Sequence, residues 1–344
     1  MKNYKLLSLI ALTAAFSCSP NNEDGQSGNT PVEKYGALKV SGIQLCAQNG
    51  KALQLRGMST HGLQWFGKCQ TEEAYRSLAE EWQCDVVRLA LYAEENGYNT
   101  DPLKFRNKIE TLVGYCEKYG MYCIIDWHVL HPGDPNDPKY DTADDFFAWA
   151  SKKFAGKPHV LYEICNEPNG DEVTWAVVKR YAERVIPIIR ANSPNAVVIC
   201  GTPKWSADFT DVVKDPLTYK NILYTYHFYA ASHYNYDNLQ NYLDRLPVFV
   251  TEWGTCEYNG SGKYDLDSSQ RWIQIMDGDN PGKQRVSWAT WNFSDGEGTA
   301  DNLVPGSCAA CRFTNVKQPY GQFIRDRISR LRQEKQVSER KMSL

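Results

Sequence analysis

The stretch HVLYEICNEP, residues 159–168, decides the interpretation of this chain. Its apolar run, Val160 to Cys165, is rich in side chains that favour β-structure and leads to Asn166 and Glu167. Pro168 closes the run, because proline has no N–H to donate to a β-ladder. The sequence therefore predicts a buried strand that presents an amide and a carboxylate at its carboxyl end.

The same pattern recurs about 85 positions later, in PVFVTEWG, residues 247–254. An apolar run from Val248 to Val250 leads to Glu252, and Trp253 and Gly254 follow. Two glutamates at two strand ends are the side chains that acid/base and nucleophilic catalysis require. If the fold brings these strand ends together, Glu167 and Glu252 form a catalytic pair.

Around these stretches the chain alternates strands with helices. A hairpin that turns at Asn49-Gly50 precedes the first strand, residues 53–59, and is expected to cover one end of the domain. The other predicted strands are residues 85–92, 122–128, 160–165, 196–201, 221–229, 247–253 and 285–293. This alternation predicts a closed (β/α)8 TIM barrel, an α/β fold, with a short N-terminal β-hairpin. The alternative is an open doubly wound sheet, but no glycine-rich phosphate turn follows the first strand.

A barrel of this kind gathers the carboxyl ends of its strands at one mouth. Strands four and seven are three steps apart around the ring, so Glu167 and Glu252 are expected to face each other there. Other strand ends also carry polar and aromatic side chains, namely His61, Trp65, Arg88, Tyr92, His128, Asn166, Trp205, His227, Tyr229 and Trp291. Each has a structural explanation when taken singly, but packing alone does not explain polar groups at so many strand ends.

One feature conflicts with simple strand geometry. Asn166 and Glu167 are adjacent, so their side chains should point to opposite faces of a regular strand. Both reach the mouth only if the strand bends or bulges there. Glu163 shares the parity of Glu167 and is expected to point into the barrel, with Arg56 as its candidate ionic partner.

Composition narrows the class of protein. The chain has 344 residues, 42% hydrophobic and 23% charged, and its net charge of −3 gives no reason to expect a nucleic acid partner. Cys308 and Cys311 have CxxC spacing, but no second pair lies at metal-finger spacing, so no zinc site is expected. The pairing of the 11 cysteines stays open.

Taken together, these residues resemble the signature of glycoside hydrolase family five, of clan A. The resemblance rests on Arg88 in VVRLALY, His128 in IIDWH, Asn166-Glu167-Pro168, His227 and Tyr229 in YHFY, Glu252 in TEWG and Trp291 in WATWNFSD. Their order and spacing are most similar to those of the family's bacterial endoglucanases, from about Leu55 to Asp295. The NEP triplet alone is not specific, but the joint pattern is.

The resemblance implies a retaining endo-β-1,4-glucanase that uses no cofactor and no metal. Glu167 would be the general acid/base and Glu252 the nucleophile. The supporting residues would be Arg88 and Tyr229 beside Glu252, Asn166 at the sugar 2-hydroxyl, His128 and His227 orienting hydroxyls or carboxylates, Trp291 under the reacting sugar, Trp65 and Trp205 as further platforms, and His61 and Tyr92 as polar contacts. The chain departs from the family at position 296, where many of these endoglucanases have a lysine that reaches bound sugar and this chain has Gly. Residues 296–311 are expected to form a mobile loop at the mouth.

The implied partner is a β-glucan polysaccharide, bound by a monomer. A mannanase, a xyloglucanase or a mixed-linkage glucanase would share the catalytic residues, so the sequence leaves the polysaccharide open. Two alternatives come from other classes. A surface glycan-binding protein would not need to keep both glutamates, and a metal-dependent barrel hydrolase would be expected to have a His-x-His motif on the first strand.

The N-terminus has the features of an export signal. Lys2 and Lys5 precede an apolar run, residues 6–16, that is too short to span a bilayer as a helix. Ala15-Phe16-Ser17-Cys18 resembles the lipobox of bacterial lipoproteins, in which Cys18 would be lipidated; an ordinary signal with an incidental cysteine is the alternative. The expected organisation is a signal over residues 1–17, a flexible tether over 18–30 and a single catalytic domain over 31–344. The protein would be exported and anchored at the outer membrane, at the cell surface or facing the periplasm, with no other membrane contact.

Overall fold

The computed structural model describes residues 30–329. Eight parallel strands close into a barrel, in which each strand pairs with its neighbours in the chain and the last pairs with the first. They are β1 (Arg56–Thr60), β2 (Val86–Tyr92), β3 (Tyr122–His128), β4 (Val160–Glu163), β5 (Val198–Cys200), β6 (Ile222–Tyr229), β7 (Val248–Gly254) and β8 (Ser287–Phe293). The closed barrel confirms the predicted fold class and excludes the open sheet.

Helices connect the strands on the outside of the barrel. They are α1 (Pro31–Tyr35), which precedes the barrel, α2 (Glu72–Glu80), α3 (Pro102–Lys118), α4 (Thr142–Lys153), α5 (Trp175–Asn192), α6 (Asp237–Gln240) and α7 (Leu266–Met276), and residues 320–329 are also helical. The predicted start of α3 is confirmed, since Asp101 caps the helix by accepting from the Lys104 N–H and Pro102 occupies the first turn. Within residues 30–329, no helix combines the length and the apolar character needed to cross a membrane.

The N-terminal hairpin closes the end of the barrel opposite the mouth. Its strands, Lys39–Ser41 and Gln44–Cys46, pair in antiparallel fashion. These two strands turn at residues 42–43, a turn that the sequence interpretation missed, whereas the reversal predicted at Asn49-Gly50 follows the second strand. The chain also reverses at Asn49-Gly50, in a wider loop that ends in an antiparallel bridge between Cys46 and Ala52. The hairpin contributes apolar side chains to a cluster with the interior residues of the strands.

Alternation along the strands divides the barrel interior into layers. On β2, Val87, Leu89 and Leu91 join the large core between barrel and helices. Val86 joins the apolar plug at the hairpin end, and Arg88 occupies the middle of the interior, where it is fully buried. Tyr92 reaches the mouth at the top of the strand. The barrel is thus apolar at the bottom, charged in the middle and open at the top.

The predicted signal, the lipidation site at Cys18 and almost all of the predicted tether lie outside the described residues. The last tether residue, Thr30, caps α1 and accepts from the Glu33 N–H. The α1 helix lies at the hairpin end of the barrel, since Val32 packs against the plug cluster and its N–H donates to the Gly120 carbonyl at 3.1 Å. The chain therefore enters the domain on the side opposite the mouth.

Candidate active site

An open cleft of about 670 Å³ lies at the carboxyl ends of the strands. Nine of the predicted site residues line it: His61, Tyr92, His128, Glu167, Trp205, His227, Tyr229, Glu252 and Trp291. Arg88 and Asn166 are fully buried beneath its floor, and Trp65 packs behind it against His61 and Tyr92. The structure thus brings the predicted residues to one place, although not all of them face the cleft.

The backbone after β4 changes direction at Asn166. The N–H groups of Tyr162 and Ile164 bond to carbonyls of β5 and its approach, at 3.1 and 2.9 Å. In a regular strand the Asn166 N–H would continue that series, because successive N–H groups point to opposite edges. It bonds instead to the Trp127 carbonyl of β3 at 3.1 Å, and the next N–H, of Glu167, bonds to the Val129 carbonyl at 3.2 Å. This break allows the adjacent Asn166 and Glu167 side chains both to point inward.

Strand β7 has a comparable irregularity just before Glu252. The register against β6 runs from Thr225 opposite Phe249 to His227 opposite Glu252, so β7 has one extra residue in this interval. Such a bulge places two consecutive side chains on the same face. Thr251 and Glu252 therefore both point into the barrel, whereas Val250 and Trp253 belong to the outer core.

A close approach of two loops fixes the position of Glu167. A Cβ atom on Gly201 would lie 2.2 Å from the Cys165 carbonyl oxygen and 2.9 Å from Cδ of Pro168. Only glycine fits there, because these contacts are far shorter than van der Waals distance. The segment that carries the carboxylate is thus packed directly against the loop that follows β5.

Arg88 organises the charged layer beneath the cleft. Its Nε and Nη2 donate to both oxygens of Glu163, at 2.7 and 3.2 Å, and its Nη1 donates to Glu252 at 3.0 Å. A third carboxylate, that of Asp126, lies 3.0 Å from Nη2. Burial alone would lower the pKa of the guanidinium, but the three carboxylates outweigh it and raise the pKa, so Arg88 is a permanent cation.

The predicted partner of Glu163 was wrong. Glu163 does point into the barrel and is fully buried, but its partner is Arg88. Arg56 points to the outside of β1, whereas Ser59 on the same strand faces Arg88 in the barrel interior. Outside the barrel, Arg56 pairs with Asp277 at 2.6 Å. The error arose because both arginines stand on neighbouring strands, and only the face that each one occupies distinguishes them.

Glu252 is surrounded by hydrogen-bond donors. Arg88 donates to its Oε2 at 3.0 Å, and the Tyr229 hydroxyl donates to its Oε1 at 2.7 Å. Burial and the nearby carboxylates raise the pKa of Tyr229 well above its usual value, so this hydroxyl keeps its proton. Two donors, one of them cationic, stabilise the carboxylate form of Glu252. A nucleophilic carboxylate must be in that form.

Glu167 is in contact with a neutral base instead. Its Oε1 lies 2.9 Å from Nδ1 of His227. Burial raises the pKa of Glu167 to about 8 against the opposing effect of Arg88, and Asp126 and Glu163 raise it further. Burial also lowers the pKa of His227 to about 4, so that imidazole is uncharged near neutral pH. The geometry thus keeps Glu167 protonated, as a general acid must be.

The side chains of Glu167 and Glu252 are close enough to act on one bond. One carboxyl oxygen of each, together with a nitrogen of His227, lie within 4.8 Å of one another. Retaining glycosidases hold their two carboxyl groups roughly 5–5.5 Å apart, whereas inverting ones leave about 6.5–9.5 Å for a water molecule. This close approach fits the retaining geometry.

Asn166 and His128 form a second buried chain of hydrogen bonds. The Asn166 oxygen accepts from Arg88 at 2.6 Å, so its nitrogen faces His128 Nε2 at 3.2 Å and the Val129 carbonyl at 3.3 Å. His128 Nε2 therefore accepts, and its Nδ1–H donates to Asp126 at 2.7 Å. Burial lowers the pKa of His128 well below its usual value. With its amide used in this way, Asn166 supports the floor of the cleft from below.

Aromatic rings form the walls of the cleft. Tyr92 stacks on His128, with centroids 4.0 Å apart, and Trp291 also stacks on His128, with centroids 5.5 Å apart. Trp205 is half exposed. It belongs to a left-handed turn at Pro203–Ser206, in which Lys204, Trp205 and Ser206 all have φ near +56°. The Ser206 hydroxyl, which donates to the Asn166 carbonyl at 2.6 Å, holds this unfavourable turn in place.

Several cleft and supporting residues were missed by sequence reasoning. His131, Lys204, His233 and Tyr258 also line the cleft, and Tyr258 is 73% exposed. His131 stands three residues past β3, at a strand end like the others, and could have been found by the same criterion. Thr251 beneath the floor offered no such signal, because a threonine in a strand is usually a packing residue.

The loop after β8, expected to be mobile, is anchored at several points. A disulfide joins Cys69 to Cys308. The Ser294 hydroxyl donates to Asp301 at 2.5 Å, and the Lys317 ammonium group donates to the carbonyls of Gly296 and Gly298, both at 2.7 Å. A lysine is thus present beside position 296, but its hydrogen bonds hold the loop.

Two clusters have residue types that can bind a metal ion. In the first, Glu167, His227 and Glu252, both nitrogens of the imidazole and both oxygens of Glu252 already have hydrogen-bond partners, and the Arg88 cation lies against Glu252. In the second, Cys69 and Cys308 are joined in a disulfide and offer no thiolate. Among the described residues, neither cluster has the free donors that a metal centre needs.

The chain is similar to several endoglucanases. It is 42% identical over 301 residues to endoglucanase E-5 of Thermobifida fusca, covering 85% of this chain and 63% of that protein. It is 41% identical over 311 residues to endoglucanase CelA of Streptomyces lividans, covering 87% and 66%. The chain thus spans less than two thirds of the length of these relatives.

Solved structures of a cellulase and of an endoglucanase have the same fold as this chain. The fold superposes on cellulase Cel5C_n with a TM-score of 0.84 at 42% identity, covering 89% of this chain and 95% of that one. It superposes on the catalytic domain of Thermobifida fusca endoglucanase Cel5A (E5) with a TM-score of 0.83 at 40% identity, covering 88% and 100%, and that domain has also been solved with cellotetraose. A family model for cellulases matches residues 46–297, and this chain accordingly belongs to glycosyl hydrolase family 5.

Proposed function

We propose that this protein is a retaining endo-β-1,4-glucanase that hydrolyses cellulose or mixed-linkage β-glucan. The observation that carries the proposal is a pair of carboxyl groups with one oxygen of each within 4.8 Å of the other, of which one contacts the imidazole of His227 and one accepts from Arg88 and Tyr229. Opposite protonation states at this separation are what a double displacement requires. The similarity to endoglucanases supports the choice of a β-1,4-glucan as substrate.

In the first step, Glu167 transfers its proton to the glycosidic oxygen as the bond from that oxygen to C1 breaks. Glu252 forms a bond to C1 from the opposite face, which gives a glycosyl-enzyme ester. Positive charge develops on the sugar ring in the transition state, and the adjacent carboxylate stabilises it. The Trp291 ring lines the cleft, where it offers a flat surface for an apolar sugar face.

In the second step, Glu167 is ionised and takes a proton from water. The water oxygen bonds to C1 as the bond to Glu252 breaks, so two inversions restore the original configuration. Arg88 and Tyr229 then stabilise the carboxylate that leaves. The same residue is thus acid in the first step and base in the second.

Hydrolysis of three polysaccharides tests this proposal. Carboxymethylcellulose, mixed-linkage β-glucan and mannan are incubated with the purified protein and with its Glu252→Gln variant. We expect the wild-type protein to cleave both glucans and the variant to lose at least about four orders of magnitude in kcat, as when other covalent nucleophiles are removed. Glu172→Gln, an exposed carboxylate outside the cleft, is the matched control and is expected to keep full activity.

Each other outcome has a definite meaning. Cleavage of mannan alone keeps the double displacement and overturns the glucan substrate. Binding of glucan without cleavage, by a folded protein, overturns catalysis in favour of a glycan-binding function. Products of inverted configuration would contradict the role of Glu252 as nucleophile.

We also propose that the protein is an exported lipoprotein anchored through Cys18. The supporting features are the lipobox-like Ala15 to Cys18, the polar tether that follows, and the entry of the chain at the barrel end opposite the cleft. An anchor on that side would leave the cleft facing away from the membrane. Expression of Cys18→Ala in a bacterial host should move the enzyme from the membrane fraction to the soluble fraction; an unchanged distribution contradicts lipidation.

The remaining proposal concerns assembly. All of the catalytic groups come from one chain, so we propose that the protein acts as a monomer. Light scattering of the purified protein should give the mass of a single chain, and a stable dimer would contradict this.

A further inference from the structure

A buried chain of hydrogen bonds connects Glu167 to the middle of the barrel. His227 contacts Glu167 through Nδ1, and its other nitrogen, Nε2, lies 2.9 Å from the Thr251 hydroxyl. That hydroxyl lies 2.7 Å from Oε1 of Glu163. Glu163, Thr251 and His227 are all nearly or completely shielded from solvent, so water does not compete with these contacts. We call Glu163–Thr251–His227–Glu167 the hydrogen-bond chain.

The Thr251 hydroxyl has only one hydrogen for its three neighbours. Burial raises the pKa of Glu163, but the Arg88 cation opposes this rise and donates to both of its oxygens, which favours the carboxylate, so Glu163 accepts and Thr251 donates to it. The remaining contacts of the Thr251 oxygen must then be donated to it. Thr225 supplies one from its own hydroxyl at 2.5 Å. His227 must supply the other, which requires a hydrogen on Nε2.

This ordering determines the hydrogen bond at the far end. A neutral imidazole with its hydrogen on Nε2 has a lone pair on Nδ1, and Nδ1 faces Glu167 at 2.9 Å. A lone pair can only accept, so Glu167 must donate and must carry the proton. We infer that Thr251 is a positioning residue: by selecting the Nε2–H tautomer of His227, it keeps Glu167 in the acid form. This inference rests on the proposed function of Glu167.

The surrounding charges agree with this assignment. Arg88, Asp126, His128, Glu163, Tyr229 and Glu252 are the charged or titratable groups packed around Glu167 and His227 from the neighbouring strands. Burial lowers the pKa of His227 to about 4, which excludes an imidazolium that could donate from both nitrogens at neutral pH. Burial likewise raises the pKa of Glu167 to about 8.

The ordering serves both halves of the reaction. When Glu167 gives its proton to the glycosidic oxygen, its carboxylate is left facing the Nδ1 lone pair, an unfavourable contact in a buried site. The contact becomes favourable again when Glu167 takes a proton from the attacking water in the second step. In this scheme His227 itself gains and loses no proton, and the hydrogen bonds of Thr251 and Glu163 beneath it stay as they are.

The test is to remove the Thr251 hydroxyl while keeping its shape. In Thr251→Val, Nε2 loses its acceptor, and the imidazole can place its hydrogen on Nδ1 and donate to an ionised Glu167. We expect the alkaline limb of kcat/KM for phenyl β-cellobioside to move down by about one pH unit or more, a tenfold effect at alkaline pH. For 2,4-dinitrophenyl β-cellobioside, whose leaving group needs no proton, kcat/KM should change less than threefold, on the order of one ordinary hydrogen bond or less.

Two variants control for general damage. Thr251→Ser retains the hydroxyl and should restore the wild-type limb. Thr225→Val removes the neighbouring hydroxyl but leaves Thr251 able to donate to Glu163 and to accept from His227, so its alkaline limb should stay in place. An equal loss on both substrates in Thr251→Val, or an equal shift of the limb in Thr225→Val, would overturn the inference and leave Thr251 with a structural role.

A measurement on the unmodified protein needs no variant to fold. The ¹⁵N chemical shifts of His227 at pH 6–7 should show a protonated Nε2 and an unprotonated Nδ1. The reverse tautomer, or an imidazolium, would refute the role of Thr251. The outcome does not depend on activity: a protein that cleaves no glycan defeats the proposed function, whereas an active enzyme with the wrong tautomer defeats only this inference.

Discussion

Glu252 and Glu167 differ in nearly every contact although they belong to one cleft. Glu252 accepts from a guanidinium and from a phenol, so its neighbours favour the charged form. Glu167 lies against a neutral imidazole, and burial raises its pKa to about 8. The role of each glutamate is therefore assigned by the strands around it, since the two residues are chemically identical.

The two carboxyl groups also share one support. Glu163 connects Arg88, which contacts Glu252, to Thr251, which contacts the partner of Glu167. The nucleophile and the acid are therefore attached to the same buried layer of charge. A change in that layer is expected to affect both, whereas a change at the cleft surface affects one.

The largest expected difference between the two glutamates is in their dependence on the leaving group. In Glu167→Gln, hydrolysis of cellulosic substrates should fall by about 10²–10⁴-fold, because proton donation is lost. On 2,4-dinitrophenyl β-cellobioside the first step should be nearly unaffected. Steady-state kinetics and burst kinetics measure this, and an equal loss on both substrates would contradict the acid role.

Removal of the shared cation should destabilise the whole site. Arg88→Met leaves Asp126, Glu163 and Glu252 buried without a counter-charge, and we expect the free energy of unfolding to fall by about 3–5 kcal/mol at neutral pH. The loss should be smaller in acid, where the three carboxylates can take up protons. Urea unfolding at two pH values tests this.

The control for this prediction is Arg76→Met, which removes an exposed partner of Glu80. It should cost at most about 0.5 kcal/mol, as for other surface pairs. If Arg88→Met and Arg76→Met had the same free energy of unfolding, Arg88 would not stabilise the buried carboxylates as described.

Tyr229→Phe tests how much the hydrogen bond from Tyr229 contributes to the reactivity of Glu252. The variant keeps the ring and removes the hydroxyl that donates to Glu252, a charge-assisted hydrogen bond worth about 1.5–3 kcal/mol. We expect kcat to fall about 10-fold to 100-fold while the alkaline limb keeps its position. Tyr234→Phe, on a half-exposed tyrosine, should leave kcat unchanged. If the alkaline limb of the pH profile shifted while kcat stayed unchanged, Tyr229 would act on the general acid Glu167 instead.

The smallest effect concerns pH in the wild-type protein. Glu167 must be protonated for the first step, so kcat/KM should decline as pH rises through the pKa of about 8 and should reach half its plateau there. Above that pH the carboxylate cannot donate. The alkaline limb should disappear in Glu167→Gln, and a limb that remained there would belong to another group.

Local patterns in the sequence were sufficient for the barrel and for most of the cleft. Apolar runs that end in polar or aromatic residues placed Glu167, Glu252 and seven other residues at the cleft, because strand ends share one mouth in this fold. Local patterns were insufficient to identify the ionic partner of Glu163, since Arg56 and Arg88 are both arginines on neighbouring predicted strands. Local patterns also indicated the reversal at Asn49-Gly50 but missed the turn at residues 42–43 that joins the two paired strands of the hairpin.

The sequence by itself determined which residues stand at the strand ends and in what order, because an apolar run and the residues that close it are local properties of the chain. Only the tertiary structure decided which of them face each other and which are protonated. The break at Asn166 and the bulge before Glu252 reverse the parity that a regular strand predicts, and both are set by pairing with neighbouring strands. The protonation of Glu167 depends on His227, 60 residues further along the chain, and on Thr251, which lies further still, so no local pattern encodes it.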